Sequence, residues 1–167
     1  MSAPTFKERL AHDPALGQWM DQSRRYMLIR PDALMGIFRN LPEPSREAAL
    51  DALKASIAEQ GGDSARAYMA MGGSGDALLA TIEETAPMLG WGRWTIARNG
   101  QTLRLDVENS PFAKGYGASP KPVCHAVVGM LEAVSAIVLG APVIARETTC
   151  AATGAARCEF EARTGKV

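Results

Sequence analysis

The side chains best able to do chemistry in this sequence are concentrated near its C-terminal end. The chain has three cysteines. Two of them, Cys150 and Cys158, flank the stretch "AATGAAR"; Glu147 stands just before Cys150, and Cys124 opens the long apolar run upstream. Three thiols and one carboxylate make four candidate donors, the number that a closed tetrahedral zinc site takes. Thiolate softness suits zinc, and a single oxygen donor is tolerated. His125, next to Cys124, is an alternative fourth donor, and spacing does not choose between it and Glu147. The competing reading is that these thiols are small buried hydrophobes, since no CxxC pair is formed.

Other chemistry is sparse. His12 sits in a polar stretch and reads as solvated, and His125 reads as a neighbour of a metal ligand rather than a general base. Hydride transfer needs a nicotinamide or flavin. No G-x-G-x-x-G follows an expected strand, and "GGSGD" lacks both the third glycine and the strand before it. No Walker motif and no nucleophile–base pairing stands out, so the sequence assigns no catalytic residue. Aromatic residues that could line an apolar pocket are Phe38, Tyr68, Trp91, Trp94 and Tyr116, with Tyr26, Met35 and Phe112 beside them. Each is equally at home as plain core. Tyr116, in a glycine-containing loop, is expected to be exposed and able to act as a gate.

These residues need a scaffold, and composition bounds it. A chain of 167 residues suits one domain able to bury a core without staples. Eighteen basic and eighteen acidic residues cancel, which argues against a nucleic-acid footprint. The first thirty residues are too polar for a signal peptide, and the longest apolar run, Val123 to Gly140, carries His125 and Glu132 and falls short of a membrane span. An odd cysteine count without a secretory signal points to a reducing cytoplasm.

The expected elements run in order. A peripheral segment, residues 1–24, contains a short helix around Pro14 to Arg24. Residues 25–167 form the main domain, opening with a short strand and a helix that starts near Pro31. An amphipathic helix is capped by Ser45, buries Ala49, Leu50, Leu53 and Ile57, and stops at Gly61 and Gly62. Further helices cover Ser64 to Met71 and Asp76 to Leu89. Asn99-Gly100 then marks a hairpin between strands around Trp94 and Leu105. A proline- and glycine-bearing loop, "SPFAKGYGASPKP", leads to the apolar helix, whose Gly129, Ala133, Ala136 and Gly140 would let another helix approach closely. A last hairpin joins "APVIARETTC" to "CEFEART". This order suits an α+β fold, an antiparallel sheet packed against helices.

The run "PVCHAVVGMLEAV…GAPVIARETTCAATGAARCEFEA" resembles the 4-vinyl-reductase-type domain family: Pro-x-Cys opening a small-residue helix, Glu-x-x-Cys, a glycine-containing loop and Cys-x-Phe. The looser segments "RYMLIRPDALMGIF", "LGWGRW" and "NSPFA" resemble its bacteriochlorophyll-biosynthesis branch. The resemblance implies a fold like that of TRAPP vesicle-tethering subunits. It also implies a structural zinc held by Cys124, Glu147, Cys150 and Cys158, and a pocket for a hydrophobic small molecule or a tetrapyrrole. A homodimer is implied as well. Three functions follow as expectations. One is a carrier or accessory factor at the 4-vinyl reduction step of bacteriochlorophyll biosynthesis, another a 4-vinyl reductase or a subunit of one, and the third a stand-alone sensor of small aromatic compounds. No ATPase or DNA-binding segment is read, so a complete transcription regulator is not expected.

Overall fold

In the computed structural model, which describes residues 4–165, helices pack on one face of a four-stranded antiparallel sheet. The N-terminal segment is a short helix α1 (Phe6–Arg9) followed by a three-stranded meander, β1 (Ala11–Asp13), β2 (Gln18–Asp21) and β3 (Arg24–Tyr26). The expected helix over Pro14 to Arg24 is therefore replaced by strands. Asp13 accepts from the backbone N–H groups of Ala15 and Leu16, and Gly17 and Gln22 turn with positive φ, so turn chemistry overrides the helical reading.

Next come α2 (Pro31–Arg39), α3 (Ser45–Ala70) and α4 (Gly75–Met88). Pro31 opens α2 as expected. The helix expected to stop at Gly61 instead runs unbroken through Gly61 and Gly62 and absorbs the one expected at Ser64. Ser45 is its first helical residue rather than its cap, because helical bonding already starts at the Pro44 carbonyl. Packing explains the glycines. Both lie against α6 (His125–Leu139), where a Cβ on Gly61 would meet the Met130 side chain and one on Gly62 would touch Ala133 at 3.5 Å. On the α6 side, a Cβ on Gly129 would fall 2.2 Å from the Lys54 carbonyl oxygen, so the small-residue helix does admit a close neighbour.

The sheet consists of β4 (Arg93–Asn99), β5 (Thr102–Glu108), β6 (Val143–Thr149) and β7 (Cys158–Thr164), in the order β4-β5-β7-β6. Asn99 pairs with Thr102 across the predicted turn. Period-two alternation sends Leu103, Leu105 and Val107 of β5 and Cys158, Phe160 and Ala162 of β7 inward, where all are buried against the helices. Both sheet edges are managed by glutamates: Glu83 of α4 accepts from the Ile96 N–H on β4, and Glu132 of α6 accepts from the Ala145 N–H on β6. The expected loop after β5 contains a short helix, α5 (Pro111–Tyr116), capped by Ser110.

Candidate metal centre and apolar groove

Three elements deliver the four donors to one place. Cys124 is the N-cap of α6, Glu147 and Cys150 come from the end of β6, and Cys158 opens β7. Val143, Ala145 and Glu147 share the inner face of β6 by strand periodicity, which would turn a residue three further on to the outer face. A bulge between Glu147 and Thr149 resets the register, and Cys150 ends up inside at 1 % exposure. The short turn Ala151–Thr153 and Gly154, with φ of 101°, then bring the chain back so that Cys158 lies under Cys124.

The donor atoms of Cys124, Glu147, Cys150 and Cys158 all lie within 4.8 Å of one another. The Cys124 Sγ is 3.7 Å from that of Cys158 and 4.0 Å from that of Cys150. Thiolates bound at about 2.3 Å around a tetrahedral ion stand about 3.8 Å apart, so the sulfurs are already at ligand spacing. Glu147 accepts from the Cys124 N–H through Oε2 at 2.9 Å, while its buried Oε1 has no hydrogen-bond partner. A buried carboxylate oxygen without a donor is costly, and a cation among the three sulfurs would satisfy it. The residues present fit a soft divalent metal. His125, by contrast, turns to α3, with Nδ1 3.3 Å from Asp51 Oδ1.

Electrostatics in the cluster are those of a site that exchanges protons for a cation. Burial, with the nearby Cys150 thiol, pushes the Glu147 carboxyl up to about 8. Cys158 accepts from the Cys124 and Cys150 thiols and from the Ala151 N–H, which holds it down to about 4. Cys124 is driven upward because it supplies a hydrogen bond to those neighbours and is buried. One negative charge thus sits among neutral donors, and a divalent ion would displace the remaining protons.

A groove of about 440 Å³ opens between the connection from β3 to α2, the C-terminal end of α4 and the start of α5. Its walls are almost entirely apolar and include Met27, Leu28, Met35, Leu89, Trp91 and Phe112, with the Trp91 and Phe112 rings edge to face at 5.0 Å. Of the aromatic candidates from the sequence, Trp91 lines this groove. Trp94 lies beneath it, buried, with Nε1 donating to the Trp91 carbonyl at 3.1 Å. Phe38 is core, and Tyr68 packs at the C-terminal end of α3, its ring filling the space beside Gly73. Tyr116 is buried, and its carbonyl accepts from Arg39 Nη1 at 2.9 Å, so the expected exposed gate is instead a fixed part of α5. Tyr26 borders a second depression with Trp19 and Arg25. The strap Met27-Leu28-Ile29 was not singled out in the sequence; a run of apolar residues just before a helix-opening proline is the only signal it offers.

A match to a known domain spans both strands of the last hairpin, the whole of α6 and all four donors. Residues 103–164 are a 4-vinyl-reductase-type domain. This is the family that the sequence resembles, and its matched segment supplies the metal centre, while the helices α2 to α4 lie outside it. No curated protein matches the chain by sequence. Solved structures resemble it in fold. The phenol-responsive sensory domain of the transcription activator PoxR, with phenol, aligns at a TM-score of 0.77 and 19% identity, covering 93% of this chain and 85% of that one. A trafficking protein particle complex subunit 3 from Naegleria fowleri, covalently bound to palmitic acid, aligns at 0.55 and 14% identity over 81% and 95%. An H-NOX domain from Shewanella oneidensis in its Fe(II)CO ligation state aligns at 0.52 and 15% identity over 87% and 83%. At these identities the chain shares their architecture, a TRAPP-like mixture of helices and antiparallel sheet. Among the described residues, no helix is long and apolar enough to cross a membrane.

Proposed function

We propose that this 4-vinyl-reductase-type protein is a binding module for a hydrophobic small molecule or tetrapyrrole, built around a structural zinc held by Cys124, Glu147, Cys150 and Cys158. The observation that carries the reading is the groove. A volume of about 440 Å³ walled by aromatic and thioether side chains is of the size and character of small-molecule sites. Its open side would let a flat ligand larger than the groove be held by one edge. Four protein donors leave a zinc no position for water or substrate, so the metal would hold β6, β7 and α6 together and supply no chemistry to the ligand. The sequence resemblance supports a role as carrier or accessory factor at the 4-vinyl reduction step of bacteriochlorophyll biosynthesis, in a cytoplasmic homodimer whose ligand-binding part spans residues 25–167. The first three and last two residues of the chain lie outside the described structure.

A sensor of small aromatic compounds is the second reading, and the likeness to the phenol-responsive PoxR domain favours it. Trp91 in the groove wall provides the test. Titration of the zinc-loaded protein with a vinyl-bearing protochlorophyllide should quench tryptophan fluorescence saturably, and quenching by phenol instead would select the sensor. No response to either would sink the binding module. Formation of the ethyl product with NADPH would make the chain a 4-vinyl reductase or part of one.

A further inference from the structure

The metal centre and the groove are joined by a single short helix, and one hydroxyl stands at the junction. Ser110 is 3 % exposed, and its Oγ lies 3.4 Å from the Cys124 Sγ. The same Oγ accepts from the Ala113 N–H, capping α5. Its own hydrogen is therefore free, and a metal-bound thiolate can only accept. Past Ser110, Pro111 and Phe112 form the groove wall. The rest of α5 is held rigidly from two sides. A Cβ on Gly115 would fall 2.4 Å from the Pro31 carbonyl oxygen, so α5 cannot move toward α2. The Ser119 N–H, just beyond α5, donates at 2.9 Å to Ala152, inside the turn that joins Cys150 to Cys158.

We infer that Ser110 is a positioning residue of the metal centre: its hydroxyl donates to the Cys124 sulfur in the metal-loaded protein and, through α5, ties that centre to the wall of the groove. Filling the groove displaces Phe112, shifts α5 and changes the Ser110–Cys124 bond, and the metal's electronic state reports it. The inference rests on the binding module proposed above and on the residues' fit to a metal. Partners of this kind around metal ligands change affinity by roughly 10–100-fold when removed.

The test uses the full chain loaded with Co²⁺, whose thiolate charge-transfer absorption reads the sulfur ligands, and the neutral apolar probe N-phenyl-1-naphthylamine. Ser110→Gly removes the hydroxyl at a cap position where glycine costs only a few tenths of a kcal/mol, and Ser110→Thr retains it. In the parent and in Ser110→Thr, probe binding should shift the cobalt band. Ser110→Gly should bind Co²⁺ roughly 10–100-fold more weakly, with an altered band that no longer responds to the probe. A Ser110→Gly protein with the parent's band, cobalt affinity and probe response overturns the inference. If Ser110→Gly fails to fold, the parent decides: binding of both ligands with no band shift overturns the tie alone, and a parent that takes up neither overturns the binding module as well.

Discussion

At the scale of single residues, the cluster makes distinct demands on its members. Cys150 is buried with the other two thiols around an orphaned carboxylate oxygen, so Cys150→Ser should abolish tight metal binding. Structural zinc is worth on the order of 10 kcal/mol in small domains, and thermal melting with and without chelator should show the loss. Glu147→Gln should weaken the metal as well, whereas His125→Ala should leave it in place. The imidazole faces the exposed Asp51, and such a pair contributes about 0–1 kcal/mol. Equal metal content in the Glu147→Gln and parent proteins would refute the donor assignment. Because burial raises the Glu147 carboxyl to about 8, it still carries a proton at neutral pH, facing Cys124, Cys150 and Cys158. Metal must displace that proton, so zinc affinity should rise as pH goes from 6 to 8, with protons released on binding. Calorimetry in buffers of different ionisation enthalpy would count them.

Among elements, the contact of α3 with α6 is the closest in the molecule to its steric limit. A methyl at Gly129 would press on the Lys54 backbone at 2.2 Å, which cannot yield without moving a helix. Gly129→Ala should therefore destabilise by at least the 1–3 kcal/mol typical of overpacking. Gly62→Ala makes the opposite case, because its new methyl meets Ala133 at an ordinary 3.5 Å and otherwise only the mobile end of Arg66. Removing a mid-helix glycine is worth about 0.5–1 kcal/mol, so this variant should melt at or above the parent. A melting temperature for Gly129→Ala equal to that of Gly62→Ala would contradict the packing argument. The sheet edge gives a further case. Glu132 joins Lys54 at 2.9 Å and the Ala145 N–H at 3.2 Å, linking α3, α6 and β6. Glu132→Ala strands that N–H and should cost about 1–3 kcal/mol, or about 2–4 °C in Tm per kcal/mol for a chain of this size.

For the whole molecule, the meander and the strap that follows it matter most. Met27 and Leu28 are each 77% exposed and Ile29 is 46% exposed, three consecutive apolar residues between a small sheet and α2. A contiguous apolar strap of this kind is costly to leave in water. The proposed homodimer would cover it, and Leu28→Ser should then shift the equilibrium toward monomer in sedimentation or native mass measurements. A parent that is monomeric at micromolar concentration would remove the dimer from the proposal.

Local pattern sufficed for part of this. The hairpin at Asn99-Gly100, the alternation of β5 and β7, and the all-apolar α6 with its small residues were legible because each depends on near neighbours in the chain. So was the set of four donors, through residue type and the family pattern. Long-range contact decided the rest. Gly61 and Gly62 read as a stop until α6 is laid against them, and Tyr116 reads as exposed until α2 covers it. The Glu147 and Cys150 side chains would face opposite ways on a regular strand. Only the bulge imposed by pairing β6 with β7 turns both toward Cys124. The sequence by itself determined which atoms could hold a metal. Tertiary structure decided that they converge, because convergence depends on where β6 breaks register and where α6 begins.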